Sequence, residues 1–176
     1  MAMKIALKMN GRAGLLAAGL ILIFAPTALS AGVDTAWVRR YDGPKHNDDW
    51  PLCIAVDSVG NVYVAGTSMS DTGQNTQYLD FVTIKYRPNG DTAWVRRADF
   101  GGKDIPYGIG VDAQGNVYVA GSNNDNQMVT VKYDSTGHPL WTDMRRTHAG
   151  AYDLVLDPSG GIIVCGRSPA VSPNGR

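Results

Sequence analysis

The chain has 176 residues, with 16 Lys plus Arg balanced by 16 Asp plus Glu, and so no net charge. That balance gives no electrostatic footing for nucleic acid or for an anionic membrane surface. All 16 acids are Asp and none is Glu, and with 21 Gly and 9 Pro the composition favours turns over helices.

Residues 1–31 read as a secretory leader. Lys4, Lys8 and Arg12 form a basic start, Ala13 to Ala25 an apolar run, and Pro26 ends it. Ala28-Leu29-Ser30-Ala31 offers small residues for cleavage after Ser30 or Ala31. The run is well short of the about 20 residues a membrane-spanning helix needs, so no membrane span is expected once the leader is removed. With no Cys beside the cleavage residues, a lipoprotein is disfavoured. Cleavage leaves 13 basic residues against 16 acidic ones, a net charge of −3. The expected location is extracytoplasmic: periplasmic, cell-surface or secreted.

Residues 32–176 are dominated by internal repetition. Asp34-Thr35-Ala36-Trp37-Val38-Arg39-Arg40 returns letter for letter at Asp91 to Arg97. Val56-Asp57-Ser58-Val59-Gly60-Asn61-Val62-Tyr63-Val64-Ala65-Gly66 returns from Val111 to Gly121, and loosely from Leu156 to Gly166. Val82-Thr83-Ile84-Lys85-Tyr86 returns as Val129 to Tyr133. Spacings of 55 and then 45 residues lie where self-similarity means a repeat array.

Each unit predicts four short strands. Leu52–Val56 and Val62–Ala65 flank Asp-x-x-Gly-Asn, where Asp accepts backbone hydrogen bonds and Gly takes a positive φ. Val82, Ile84 and Tyr86 alternate with Phe81, Thr83 and Lys85, the period of a strand with unlike faces. Pro88-Asn89-Gly90 and Ser135-Thr136-Gly137 turn the chain into a fourth strand carrying Trp94 or Trp141. The fold class is therefore all-β: four-stranded antiparallel sheets repeated as blades. Repeat units fall at about 52–97, 107–146 and 151–168, after a leading strand at 34–41.

The run Asp-x-x-Gly-Asn-Val-Tyr-Val-Ala-Gly, then Asp80 to Tyr86, then Asn89-Gly90-Asp91-Thr92-Ala93-Trp94, resembles the SBBP-type bacterial β-propeller repeat. The resemblance covers nearly all of residues 34–168. It implies blades around an axis in extracytoplasmic bacterial proteins, mostly without an assigned activity and with no catalytic residue set to carry over. In the third copy Gly161 to Cys165 replaces Asn-Val-Tyr-Val-Ala, and no Val-Thr-Ile-Lys-Tyr strand follows.

About three blades make an incomplete propeller, since closed rings have 4–8. A longer parent chain, self-association (two copies forming six blades), or a short open array would each resolve this. Exposed blade faces without caps favour the first.

In a meander the Asp-x-x-Gly turns share one end with the Pro88–Gly90 and Ser135–Gly137 turns. The other end collects the long connections, 42–50, 69–79, 99–105, 123–126 and 147–150, where binding usually resides. Trp50, Tyr78, His46, Phe100 and His148 fall there, and can stack on and hydrogen-bond a sugar or peptide. Trp37, Trp94 and Trp141 read as packing between blades, and Arg39-Arg40, Arg96-Arg97 and Arg145-Arg146 as solvent-facing or snorkelling pairs on outer strands. Cys53 and Cys165 lie two units apart, too far for a bridge.

No metal-binding spacing, nucleophile motif or cofactor motif is present. No catalytic, cofactor-binding or metal residue is therefore expected. Of Leu52–Val56, Tyr107–Val111 and Tyr152–Leu156, the first strands that would line an axis, only Asp153 is ionisable by side-chain charge. The expected function is a non-enzymatic binding or scaffold module for a protein or glycan, part of a larger propeller. The alternative is a fragment of a propeller lyase or hydrolase acting on extracellular glycans.

Overall fold

The computed structural model describes residues 3–7, 35–69, 78–125, 127–146 and 150–167. Its strands run β1 (Met3–Leu7), β2 (Trp37–Tyr41), β3 (Asp49–Val56), β4 (Val62–Met69), β5 (Leu79–Tyr86) and β6 (Thr92–Ala98). They continue with β7 (Ile105–Val111), β8 (Val117–Ser122), β9 (Met128–Tyr133), β10 (Pro139–Arg145), β11 (Ala151–Leu156) and β12 (Ile162–Gly166). No described residue is helical.

β3-β4-β5-β6 and β7-β8-β9-β10 are four-stranded antiparallel meanders, and β11-β12 is a hairpin that repeats their first two strands. β1 pairs with β2, Leu7 opposite Trp37. The apolar run and cleavage residues of the expected leader lie outside the described residues.

The repeated turn forms for the expected reason. Asp57 Oδ1 accepts from the Val59 and Asn61 backbone N–H groups at 3.1 and 2.8 Å, and Oδ2 from the Asn61 amide and the Tyr63 hydroxyl. Asp112 repeats every contact. Gly60, Gly115 and Gly160 take φ of 89, 80 and 88°. Partial burial opposes the Asp57 charge, but these hydrogen bonds outweigh it and hold the carboxyl below its ordinary range.

The core lies between the sheets. Tyr63, Ala65 and Phe81 of the first blade meet Val117, Val119, Val129, Val131 and Tyr133 of the second across the Trp94 ring. On the first blade's other side Trp37 covers Val62, Val64, Val82, Ile84 and Tyr86. β5 is consequently buried on both faces, where alternation had suggested unlike ones. Its period separates two apolar joints rather than core from water.

Two of the outer-strand Trp residues work as hasps. The Trp94 indole N–H donates to the Ser135 carbonyl of the next blade at 3.2 Å, with the ring between Tyr63 and Tyr133. Trp37 does the same to the Pro88 carbonyl at 3.0 Å, beside Tyr86. Arg40, Arg145 and Arg146 are exposed as expected, but the Arg96-Arg97 pair is less solvent-facing. Arg96 lies over Trp94 and donates to the Gly137 carbonyl, while Arg97 binds Asp80 at 2.9 Å, Ser68 Oγ and the Met69 carbonyl. Arg97 pins the ends of β4, β5 and β6 together.

Candidate binding groove on the long-loop face

At the end opposite the Asp-x-x-Gly turns, the joint between the two blades opens into a groove of about 460 Å³. Trp50 and Leu52 of β3, Thr67 of β4, Leu79 of β5, and Lys103 and Ile105 leading into β7 line it. The floor is tied together by a parallel bridge between Leu79 and Lys103, with the Leu79 N–H donating to the Gly102 carbonyl at 3.0 Å. Four apolar side chains beside one ammonium and one hydroxyl suit a ligand with a flat apolar face and a polar or acidic edge.

Trp50 is 39% exposed and stands on β3 rather than in the preceding loop. Tyr78, 44% exposed, directly precedes the groove residue Leu79. The other expected residues do not join them. His46 is solvent-exposed and bonded to Asp42 at 2.8 Å, with φ of 52°. Phe100 is turned into the blade joint, edge-on to Phe81 at 5.3 Å, so it is a packing residue. His148 and residues 70–77 lie outside the described residues.

Behind the groove sits a cluster that the linear sequence does not display. Oxygens of Asp80, Asp99 and Asp104 lie within 4.8 Å of one another. Asp104 is fully buried; its Oδ2 accepts from the Phe100 N–H at 2.6 Å and its N–H donates to the Leu79 carbonyl at 2.7 Å. Among the described residues its Oδ1 has no hydrogen-bond partner. Burial, with Asp99 and Asp80 adding repulsion, pushes this carboxyl up to about 7. Arg97 already holds Asp80, so the cluster acts as a clamp on the loop from 99 to 104, with a guanidinium where a cation would compete. A signal was available: Asp104 stands 55 residues after Asp49, which is also buried and accepts from the Gly43 N–H at 2.8 Å. The acid thus recurs as a loop cap.

The Cys53 thiol, pushed up to about 12 chiefly by burial, is protonated and packs near the Ala65 carbonyl, while Cys165 is exposed on β12 beyond the second blade. Lys85 and Lys132 lie over the rings of Tyr63 and Tyr118 at 5.2 and 4.9 Å.

Four-stranded meanders joined face to face through one Trp per blade are β-propeller blades. The family described as SBBP, beta-propeller repeat, matches residues 43–71 and 93–126, which fall within these blades. A crystal structure from Bacteroides caccae, of a protein described as of unknown function, resembles the chain with a TM-score of 0.50 at 13% identity. The likeness covers 75% of this chain and 42% of that one, so this chain spans less than half its length; it speaks to fold alone. No curated protein matches in sequence.

Proposed function

We propose that the chain is an exported, non-enzymatic binding and scaffold module, an arc of a larger propeller that holds a protein or glycan on its long-loop face. The observation that carries this is the groove under Trp50: a rigid strand floor, exposed aromatic and aliphatic walls, and Lys103 at the margin. Membership of a larger ring is supported by apolar side chains at both ends of the arc. Ile54 on β3 and Val155 on β11 are 54% and 55% exposed, although their counterparts Ile109 and Gly110 meet a neighbouring blade. Export is supported by the leader composition. Cleavage takes β1 away and leaves β2 held to the first blade by Trp37. A glycan-processing activity has less support, because Asp104, whose ionisation is shifted toward neutrality, is buried and does not line the groove.

Glycan and peptide arrays identify the ligand class, and Trp50→Ala and Tyr78→Ala then test the groove. Each substitution weakens the captured ligand by about tenfold or more while the melting temperature stays within roughly 3 °C. Parallel loss of folding and binding would make both residues core residues and end the reading.

A further inference from the structure

We propose that Asp80, Asp99 and Asp104 together form a calcium-binding site behind the joint between the two blades. The cation settles two carboxylates that the fold otherwise leaves without a positive partner. None of the three acids lines the Trp50 groove, and the site stands whether or not that groove takes a ligand.

An oxygen of each acid lies within 4.8 Å of the other two. Arg97 compensates Asp80 at 2.9 Å, but among the described residues no ion pair forms on Asp99 or Asp104. Three carboxylates thus share one guanidinium, and such crowding is unfavourable unless a cation or a proton relieves it. A calcium ion shares Asp80 with Arg97, which keeps its bonds to Ser68 Oγ and the Met69 carbonyl. Asp104 carries a second sign. It is fully buried, and its cap on the Phe100 N–H uses Oδ2 alone. Oδ1 is left, among the described residues, without a donor, a state that native interiors rarely hold without a water or an ion.

The preceding loop shows that a cap by itself does not gather acids. Asp49 holds the Gly43 N–H as Asp104 holds the Phe100 N–H, at 2.8 and 2.6 Å. Asp42 follows Arg40 as Asp99 follows Arg97, yet it turns to His46 at 2.8 Å. Gln127 stands 47 residues after Asp80, in that acid's place on the second blade, and bonds Asn123. Among the described residues only this joint brings three acids to one point. The donors are all carboxylate oxygens, which select hard cations over zinc or copper. Oxygens about 2.3–2.6 Å from a calcium ion stand up to about 5 Å apart, which the 4.8 Å limit fits. Asp99 is exposed, so water can reach the ion and complete its about six to eight ligands. The octahedron of magnesium, at about 2.0–2.1 Å, asks for a tighter set.

The test strips the leader-free protein with a chelator and titrates it with calcium chloride near neutral pH. Calorimetry is expected to show one site with a Kd of about 0.1–1 mM. Calcium at about 10 mM should raise the melting temperature by about 4–8 °C. Asp99→Asn, which alters an exposed side chain, weakens binding about tenfold or more while its melting in chelator stays within roughly 2 °C of wild type. Asp104→Asn loses the calcium-induced shift, and should it fail to fold, Asp99→Asn decides alone. Asp42→Asn, the counterpart outside the cluster, binds calcium as wild type does. Magnesium at equal concentration gives a clearly smaller shift. The proposal is overturned if calcium gives neither heat nor shift, if Asp99→Asn binds undiminished, if Asp42→Asn loses as much, or if magnesium serves equally.

Discussion

Gly137→Ala tests whether the Trp hasps hold the blades together. Gly137 has φ of 82°, and a Cβ on it would stand 2.7 and 2.9 Å from Cδ2 and Cγ of Trp94. Gly60, with φ of 89°, is the matched control: its nearest neighbour would be Pro88 Cγ at 3.6 Å, an ordinary contact. Both substitutions cost about 1–2 kcal/mol for a left-handed L-residue. Only Gly137→Ala must also move a ring fixed by Tyr63, Tyr133 and a hydrogen bond to Ser135, an overpacking cost of about 1–3 kcal/mol. The expected difference is about 2 kcal/mol, or roughly 6 °C in melting temperature at this chain length. Urea and thermal unfolding of both variants, followed by circular dichroism and Trp fluorescence, measure it. Equal destabilisation of the two would refute the hasp as a source of cohesion, leaving Trp94 as passive filler.

Three further expectations concern the acids and their partners. Asp57→Ala removes the acceptor of four hydrogen bonds and should cost about 2–3 kcal/mol at neutral pH. Because the folded carboxyl titrates below its ordinary value, its contribution is present above about pH 4 and lost as pH falls through the folded value. Urea titrations of wild type and variant should therefore converge in acid, and a constant gap would contradict the assignment. Asp104 has the opposite sign. With its folded value raised to about 7, native stability declines as pH rises from about 4 to about 7. Asp104→Asn, which retains an acceptor for the Phe100 N–H, should be more stable than wild type by about 1–3 kcal/mol at pH 8, and the advantage should vanish toward pH 4. A less stable variant at pH 8 would show that the carboxylate is needed in its charged form. Arg97→Met should cost about 3 kcal/mol, since it withdraws the cation from Asp80 and the donor from the Met69 carbonyl; a change under about 0.5 kcal/mol would reduce Arg97 to a surface residue.

The blades, their strand order and the gathering of tight turns at one end were all legible, because repetition reports these features several times over. Val56 to Gly66 appears with its turn Asp, Gly and Asn in fixed places, and each copy confirms the others. What escaped notice belongs to joints rather than strands. Alternation along Phe81 to Tyr86 cannot say whether the second face meets water or another sheet, and here it meets Trp37. Arg97 reads as one of a surface pair until β4 and β5 bring Ser68, Met69 and Asp80 to it. Phe100 sits in a loop by sequence, yet the chain path turns it onto Phe81. Of the five loop-face residues, Trp50 lines the groove and Tyr78 adjoins it, because they flank strands that the groove cuts across.

The indole bridge also bears on how such a chain grows. Trp37 and Trp94 are each latched by the sheet that follows them in the chain, so the seam belongs to two successive blades. Duplication or loss of one whole period would therefore add or subtract a single seam while the others stay intact. Length can vary by integral repeats at little cost, whereas a break within a period strands one indole without its latch.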